Sequence, residues 1–363
     1  MPTVLSLKFN LNSQRFSPIM SKEVLYPWLQ TAWQDLLRER DRLPHALLIT
    51  GEPGIGKRVF AEYLAQFLLC EDSSKSTQPC GACEGCRWYL AGNHPDFRVL
   101  QPEEAEEDRA DEVETKKTKK KSEVIRVEDV RALADFVNLS AHRRSVRVTL
   151  VVPADTMNVA AANAFLKTLE EPPAGAVFIL VADHWRRLLP TIRSRCRVFP
   201  LALPEPQVAM QWLNAHGVVN PALHLAHTGG APLAAMDDAA AEWLPVRQNF
   251  LEHIAEPATL DVLKLSADLE KAKLDTDLVI AWLQKWIYDL ISLGLAQKIR
   301  YYPDWHDALA RLAPRAQYLM QYINQLTEAQ KLSRHPLNQR LVFESLLFAY
   351  VDALRGKGRQ GKV

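Results

Sequence analysis

One short segment constrains the fold of this chain more than any other: a glycine-rich loop between an apolar run and a helical one. The loop is Gly51-Glu52-Pro53-Gly54-Ile55-Gly56-Lys57, the run before it is Ala46–Thr50, and a helical pattern follows over Val59–Leu69. A strand, such a loop and a helix in this order indicate a phosphate-binding loop (P-loop), whose backbone N–H groups and lysine hold nucleotide phosphates. Arg58 stands where a Ser or Thr is expected to ligate Mg²⁺. The sequence therefore predicts a phosphate cradle of Gly51, Gly54, Gly56 and Lys57 without its metal ligand.

The size and charge of the chain narrow its class. With 363 residues, 48% of them hydrophobic, it has enough apolar material for two or three domains. Its net charge of +1 gives no general attraction to nucleic acid, so any such contact is expected to be local. No apolar run of about 18 residues or more appears, and residues 1–19 lack the features of a signal peptide. We expect a cytoplasmic protein without a membrane span, with a poorly packed segment at 1–19 and Met20 as an alternative start.

Four of the five cysteines are clustered, at Cys70, Cys80, Cys83 and Cys86. In a reducing compartment they are expected to act as thiolate ligands rather than to form disulfides. Two overlapping C-x₂-C steps place three sulfurs on one turn, and Cys70 supplies a fourth from the end of the helix after the P-loop. Four sulfurs with no open position predict a structural Zn²⁺ site. The alternative is a set of unrelated reduced thiols, while catalytic zinc and thioredoxin-like redox chemistry lack the residues or context they need.

The remaining pattern alternates helices with strands and then becomes helical. The expected elements are helices at 26–44, 127–139 and 158–169, and strands at 147–152, 176–182 and 197–201. Strands that alternate with helices predict a parallel sheet covered by helices. The charged segment 101–123 has almost no apolar residues, so burial cannot offset its ordering entropy, and we expect a solvated, mobile insertion. Strand signals stop near Pro204, where a small helical unit interrupted at Gly229–Pro232 precedes a larger helical region.

Two further segments resemble motifs of a known family. Asn163–Pro173 (NAFLKTLEEPP) closely resembles a helix and turn of bacterial sliding-clamp loader subunits, and Thr191–Cys196 resembles their Ser-Arg-Cys motif. The cysteine cluster stands where that family carries its zinc-binding insertion. The resemblance extends to about residue 200. It implies an α/β AAA+ (P-loop NTPase-like) parallel-sheet domain with a zinc module, followed by a small helical lid domain and an all-α collar domain.

Combined with the pattern along the chain, the resemblance implies a division into consecutive parts. These are a disordered or wrongly started N-terminus at 1–19, an AAA+ core at 20–202 with a zinc module at 70–86 and the insertion at 101–123, a lid at 203–245, a collar or oligomerisation domain at 246–354, and a flexible basic tail at 355–363.

The resemblance also indicates which catalytic residues are missing. Active loader ATPases end their second core strand with Asp-Glu, and counting back from Asn163 puts Pro153 and Ala154 there, with Asp155 two residues late. The arginine of their lid motif Gly-x-x-Arg falls at Pro232. Phosphoryl transfer depends on positioning and metal electrostatics, so hydrolysis at this chain's own site is not expected.

The sequence is compatible with two interpretations of the phosphate cradle. The threonine by which the family senses the γ-phosphate is replaced near Asp183-His184. Lys57 and three glycines of the cradle remain. Weak ATP binding is one interpretation, and a cradle kept only as a tight strand-to-helix turn is the other.

The resemblance assigns one catalytic role, to Arg195. In the family, the arginine of Ser-Arg-Cys reaches the γ-phosphate of ATP bound by a neighbouring subunit, where a planar, permanently charged guanidinium stabilises negative charge. From the residues alone, the alternative is a structural arginine that caps a helix or pairs with a carboxylate. Arg193 inherits no role and is expected at the surface, and Cys196 is expected to be buried outside the zinc group.

The remaining polar residues are expected to have structural roles. Packing against the sheet explains most of Asn163–Pro173, and contact of its polar face with an adjacent subunit is implied by the resemblance alone. The basic runs are expected to be solvated loops, with contact to DNA phosphates or to a partner as the alternative; they are Lys116–Lys121, His142-Arg143-Arg144 and Arg186-Arg187.

The function implied by the resemblance is that of a non-hydrolysing subunit in a hetero-pentameric clamp loader. Its partners would be the gamma/tau ATPase subunits and the delta subunit, and the assembly would place a sliding clamp on primer-template DNA for the replicative polymerase. Two rivals remain. An autonomous P-loop ATPase using Lys57 and Asp155 would show Mg²⁺-dependent turnover, and a zinc-dependent DNA-binding protein would bind DNA with a steep salt dependence that chelation abolishes.

Overall fold

A computed structural model describes residues 25–72, 77–102, 124–138, 146–332 and 338–355. Several sequence expectations lie outside these residues: those for 1–19 and Met20, for nearly all of 101–123 with Lys116–Lys121, for His142–Arg144, and for the tail after Arg355. The chain divides into two compact units between Val208 and Ala209. The predicted domain limits at 202/203 and 245/246 stay predictions.

The first unit is built on five parallel strands in the order β2-β3-β4-β1-β5. Their bounds are β1 Ala46–Thr50, β2 Phe97–Leu100, β3 Arg147–Val151, β4 Ala176–Ala182 and β5 Arg197–Pro200. Every residue of β1 and β3 is buried, as parallel strands covered on both faces require. The predicted parallel, helix-covered sheet is confirmed, and β2 is a strand that the sequence pattern did not indicate.

Helices connect these strands. They are α1 Gln30–Arg38, α2 Lys57–Leu69, α3 Glu84–Leu90, α4 Val127–Asn138, α5 Val159–Glu170 and α6 Pro190–Arg193, while α7 Pro206–Ala215 extends across the division into the second unit. The single helix predicted at 26–44 is wrong in its extent. Short 3₁₀ helices at Pro27–Leu29 and Arg40–Arg42 flank α1. The second is separated from α1 because the backbone leaves the helical conformation at Glu39 (φ −107°, ψ 9°).

Local signals fix α5, the helix that carries the clamp-loader-like motif. Asn158 caps its N-terminus by accepting a hydrogen bond from the N–H of Ala161 at 2.8 Å. Phe165 packs edge to face on Phe178 of β4, with ring centroids 5.5 Å apart. The buried face holds α5 against the sheet, which leaves its polar face and its C-terminal Glu170 exposed.

The described part of the second unit contains helices and no strand. Its remaining helices are α8 Pro221–His227, α9 Pro232–Ala239, α10 Leu244–Ile254, α11 Val262–Lys271, α12 Thr276–Ala296, α13 His306–Leu312, α14 Met320–Leu332 and α15 Gln339–Leu354. Its core includes hydrogen-bonded aromatic side chains: Trp286 Nε1 donates to Tyr350 Oη at 3.0 Å, and Tyr350 in turn donates to the carbonyl of Ile254 at 2.8 Å. The predicted helical C-terminal region is confirmed.

Among the described residues, α12 alone is long and apolar enough to cross a membrane by length and composition. Its tryptophans, Trp282 and Trp286, are buried in the core of the second unit. Its fully buried Asp289 accepts hydrogen bonds from the backbone N–H groups of Arg300, Tyr301 and Tyr302. These contacts are those of a helix packed inside a folded unit.

Candidate functional site

The P-loop follows β1 as the sequence predicts, and its glycines are required by close packing. A Cβ added to Gly51 would lie 2.6 Å from the carbonyl oxygen of Leu201. A Cβ added to Gly56 would lie 2.8 Å from the ring of Tyr26. Both glycines also have positive φ, at 148° and 91°. The glycine pattern therefore serves the packing of this chain whether or not a phosphate binds.

Lys57, the phosphate-binding residue of the motif, is bound entirely within the chain. Its side chain is 3% exposed at the start of α2. Its Nζ donates to the carbonyl oxygens of Gly51 at 2.8 Å and Glu52 at 2.7 Å. A third contact, of 2.5 Å, joins Nζ to Oδ1 of Asp183. An ammonium has three donors, so these three partners use its whole hydrogen-bonding capacity.

The positions where active loaders bind Mg²⁺ and activate water hold residues that can do neither. Arg58 Nε donates to Oε1 of Glu62 at 2.8 Å. Pro153 and buried Ala154 lead from β3 into a short 3₁₀ helix and offer no carboxylate.

Asp155, the next residue along the chain, has a carboxylate, but this carboxylate binds backbone N–H groups instead. It accepts hydrogen bonds from the N–H groups of Asp183 at 3.4 Å and His184 at 3.1 Å. It therefore fixes the chain just after β4. The ATPase hypothesis that relied on Lys57 and Asp155 finds both side chains engaged in other contacts.

In the second unit, the segment aligned with the lid motif is a helix-ending turn. The N–H groups of Gly229 and Gly230 donate to the carbonyls of Ala226 and Leu225, at 2.9 and 2.8 Å, which closes α8. Pro232 then opens α9. No arginine occupies this motif.

Arg195 lies in the turn between α6 and β5 and is paired with Glu170 at the end of α5. Its Nη2 is 2.5 Å from Oε1 of Glu170, and its Nη1 donates to the carbonyl of Thr191 at 3.0 Å. The two side chains are 34% and 48% exposed. The structure thus brings together the two motifs of the family resemblance. Pairing with a carboxylate, one of the alternatives, is what Arg195 does within this chain, and its guanidinium remains accessible to solvent.

The neighbours of Arg195 differ in their surroundings. Arg193, expected at the surface, is half-buried, and its Cζ lies 5.3 Å from the ring of Trp185. Cys196 is buried in the core, where burial raises its pKa to about 12. Arg186 and Arg187 are exposed.

The four clustered cysteines come together as the spacing predicts. Cys70 ends α2 and Cys83 caps α3, and the four sulfurs lie within 4.8 Å of one another. The sulfurs of Cys70 and Cys83 are 3.9 Å apart, as are those of Cys80 and Cys86. Tetrahedral ligation at about 2.3 Å places sulfurs about 3.8 Å apart, so these residues fit a metal ion of that geometry.

The backbone around the cluster favours thiolates. N–H groups of Ala82 and Cys83 donate to the sulfur of Cys80 and lower its pKa to about 7. Burial raises the pKa of Cys70 and Cys86, so these thiols gain most from a cation that stabilises their ionised form. Gly85 is needed for the close packing of α3, since a Cβ there would lie 2.6 Å from the carbonyl of Leu69. The four cysteines can hold a metal ion.

Comparison with known proteins places the whole arrangement in one family. The family profile described as DNA polymerase III, delta subunit matches residues 29–205, and the profile described as DNA polymerase III, delta subunit, C terminal matches residues 241–351. The DNA polymerase III subunit delta' of Haemophilus influenzae is 31% identical over 268 residues, which cover 71% of this chain and 76% of that relative. The chain belongs to the DNA polymerase III delta' family. The membership expected from the motifs at Asn163–Pro173 and Thr191–Cys196 is confirmed.

Other members of the delta' family match over a shorter part. The DNA polymerase III subunit delta' of Pseudomonas aeruginosa is 41% identical over 215 residues, which cover 58% of this chain and 60% of that relative. A solved structure of a DNA polymerase III gamma subunit-related protein from Thermotoga maritima aligns with a TM-score of 0.39 and 17% identity, over 89% of this chain and 100% of that one.

The second unit of this delta' family member contains a polar cluster that the sequence did not predict. Ligand atoms of His224, His227 and Asp238 lie within 4.8 Å of one another. The guanidinium of Arg247 occupies this group: it donates to both oxygens of Asp238, at 2.6 and 3.2 Å, and to Nδ1 of His227 at 2.8 Å. His224 completes the cluster by donating from Nδ1 to Asp238 at 2.8 Å. A buried guanidinium already supplies the positive charge, so this cluster is a structural ion-pair network and not a metal site.

Proposed function

We propose that this chain is a catalytically silent subunit of a DNA polymerase III clamp loader, which supports ATP-dependent loading of a sliding clamp onto primed DNA. It joins gamma/tau ATPase subunits and a delta subunit in a hetero-pentamer, in the cytoplasm with the replication machinery. Primer-template DNA and the clamp are met through the assembly. The chain contributes Arg195 to an ATP site on a neighbouring subunit.

The observation that carries the proposal is the contrast between two cationic side chains. Lys57, at the chain's own P-loop, is 3% exposed and has all three donors occupied, while Arg195 is 34% exposed. The own site also lacks a metal ligand at Arg58 and a carboxylate at Pro153 and Ala154. The guanidinium of Arg195 is therefore accessible to a phosphate on another subunit, whereas the ammonium of Lys57 is not accessible to a phosphate at the chain's own site.

The ion pair with Glu170 does not oppose this role. Exposed pairs of this kind contribute about 0–1 kcal/mol, so releasing Arg195 from Glu170 costs little. An arginine finger supplied in trans is worth about 10³–10⁵ in rate at the site it serves. The gain at a neighbour's γ-phosphate exceeds the cost of release by several kcal/mol. We infer that Glu170 holds the guanidinium in place until a phosphate replaces the carboxylate.

A structural Zn²⁺ held by Cys70, Cys80, Cys83 and Cys86 is part of the same proposal. Four thiolates with no open ligand position leave no place for substrate or water. The ion would tie the end of α2, which begins at the P-loop, to α3. Its contribution is stability of the first unit.

Reconstitution tests the proposed function. ATP turnover would be measured for the isolated chain, for the loader without this chain, and for the complete loader, each with clamp and primed DNA. We expect no turnover by the isolated chain and full clamp-dependent turnover only in the complete loader. Mg²⁺-dependent turnover by the isolated chain would favour the autonomous ATPase, and tight, chelator-sensitive binding of DNA by the isolated chain would favour the zinc-dependent DNA-binding protein.

A further inference from the structure

The P-loop lysine is covered by a carboxylate from its own chain. Asp183 follows directly after β4, and its Oδ1 lies 2.5 Å from Lys57 Nζ. The Asp183 side chain is 44% exposed while that of Lys57 is 3% exposed. The carboxylate therefore stands on the solvent side of a buried ammonium, at the place where an anion from solution would have to reach it.

The sheet brings these two residues together. Strands β1 and β4 are parallel neighbours, with Thr50 opposite Ala182 at their carboxyl ends. The next residue of each strand begins the P-loop on one side and is Asp183 on the other. Asp155 fixes this arrangement by accepting the backbone N–H groups of Asp183 and His184. The backbone that carries the Asp183 carboxylate is thus fixed by hydrogen bonds to Asp155.

We propose that Asp183 is an internal substitute for a nucleotide phosphate, which keeps the P-loop of this chain closed to phosphate ligands. A buried ammonium needs an anionic partner, and Asp183 supplies one with no loss of translational freedom. An incoming phosphate would have to displace that partner and then approach its negative charge. Loss of the carboxylate would open a site for inorganic phosphate, pyrophosphate or the polyphosphate of a nucleotide. The inference deepens the proposed function and rests on it, because a P-loop that excludes phosphate cannot hydrolyse ATP.

The test uses the isolated full-length chain, so that it is independent of Arg195 and of any partner. Asp183→Asn removes the charge and keeps the size of the side chain. The probe is inorganic pyrophosphate without Mg²⁺, against sodium chloride of equal ionic strength, read by thermal unfolding and by calorimetric titration. Asp41→Asn is the matched control, since its side chain is 93% exposed and lies in the same unit. The double variant Lys57→Met with Asp183→Asn tests whether any binding uses the lysine.

We expect Asp183→Asn to lower Tm by several degrees in chloride and to recover Tm with pyrophosphate in a saturable way. The wild type and Asp41→Asn should respond at least tenfold more weakly, and the double variant should not respond. Saturable pyrophosphate binding by the wild type, as tight as by Asp183→Asn, would overturn the proposal, and this measurement does not depend on any variant folding. A folded Asp183→Asn that ignores pyrophosphate would overturn it too, while leaving the proposed role of Arg195 untouched.

Discussion

Arg195 Nη2 lies 2.5 Å from Glu170 Oε1, so the arginine of the Ser-Arg-Cys motif and the last residue of α5 form one ion pair. Asn163 and Lys167, two turns and one turn before Glu170, are exposed on the same helix. The polar face of α5 and the guanidinium therefore make one continuous surface. That surface is where we expect a neighbouring ATPase subunit to sit.

The exposed pair should matter little for the fold. Glu170→Gln removes the charge of the partner but keeps Arg195 in its turn through the bond to Thr191. We expect the free energy of unfolding of the isolated chain to change by less than about 1 kcal/mol, as for other exposed pairs. Denaturant titration measures it, and loader turnover should stay close to wild type. A loss of turnover as complete as that of an Arg195 variant would mean that Glu170 itself acts in the reaction.

The cysteine cluster should bind one zinc ion per chain. Cys83→Ser removes one of four ligands and the cap of α3, so bound zinc should be lost and the first unit destabilised. Metal content by mass spectrometry and Tm with and without chelator measure this. Cys196→Ala is the matched control, because Cys196 is buried away from the cluster and its loss should leave zinc content unchanged. Full zinc content in Cys83→Ser would contradict the assignment.

The P-loop lysine should be dispensable for the loader. Lys57→Met removes the side chain that holds phosphate in active P-loops, yet its Nζ here binds Gly51, Glu52 and Asp183 of its own chain. We expect an assembled loader with this variant to hydrolyse ATP at the wild-type rate. A steady-state assay with clamp and primed DNA measures it, after size analysis shows that the complex is intact. A large fall in turnover would indicate that the chain's own site takes part.

Acid should weaken the second unit through Asp238. Burial raises the pKa of this carboxyl, but contacts with His227, Arg247 and His224 outweigh burial and hold the pKa well below its ordinary value. A carboxyl with a lower pKa in the folded state contributes stability that is full above its unfolded pKa, near 4, and is lost as the pH falls below it. Removing one partner of a buried pair costs about 3–5 kcal/mol.

We therefore expect Asp238→Asn to destabilise the chain by about 3 kcal/mol at pH 6, with a difference from wild type that shrinks below pH 4. Denaturant unfolding at several pH values measures the difference in unfolding free energy between wild type and Asp238→Asn. Effects shared by both proteins, such as acid release of zinc, cancel in this difference. Asp307→Asn, whose side chain is 98% exposed, should show no such difference. A difference that stays constant down to pH 3 would show that Asp238 is not held ionised by its partners.

The features that could be foreseen from sequence are those encoded by local spacing. The P-loop glycines, the C-x₂-C steps at Cys80, Cys83 and Cys86, and the capped helix after Asn158 each lie within a short stretch of chain. The pairs that decide the chemistry are distant in sequence. Lys57 and Asp183 meet only because β1 and β4 are neighbours, and no periodicity indicates that register.

Other elements were missed for related reasons. Strand β2, Phe97–Leu100, lies at the edge of the sheet and is only partly buried, so its short run lacks the continuous apolar character of β1. The network around Arg247 joins residues of three helices, and its histidines and aspartate look like ordinary surface residues in the sequence. The pairing of Arg247 with a buried carboxylate produces no recognisable pattern in the sequence.

The most direct test of the account is ATP turnover by the reconstituted loader, with clamp and primed DNA, for wild type, Arg195→Ala and Arg40→Ala. Arg40 is the matched control, because its side chain is also 34% exposed and is paired with a carboxylate, that of Asp41. With all three complexes shown to be intact pentamers, we predict that turnover falls by on the order of tenfold or more for Arg195→Ala, since a finger is worth about 10³–10⁵ at its site. Arg40→Ala should match wild type. Unchanged turnover for Arg195→Ala would contradict the account and leave Arg195 a structural partner of Glu170.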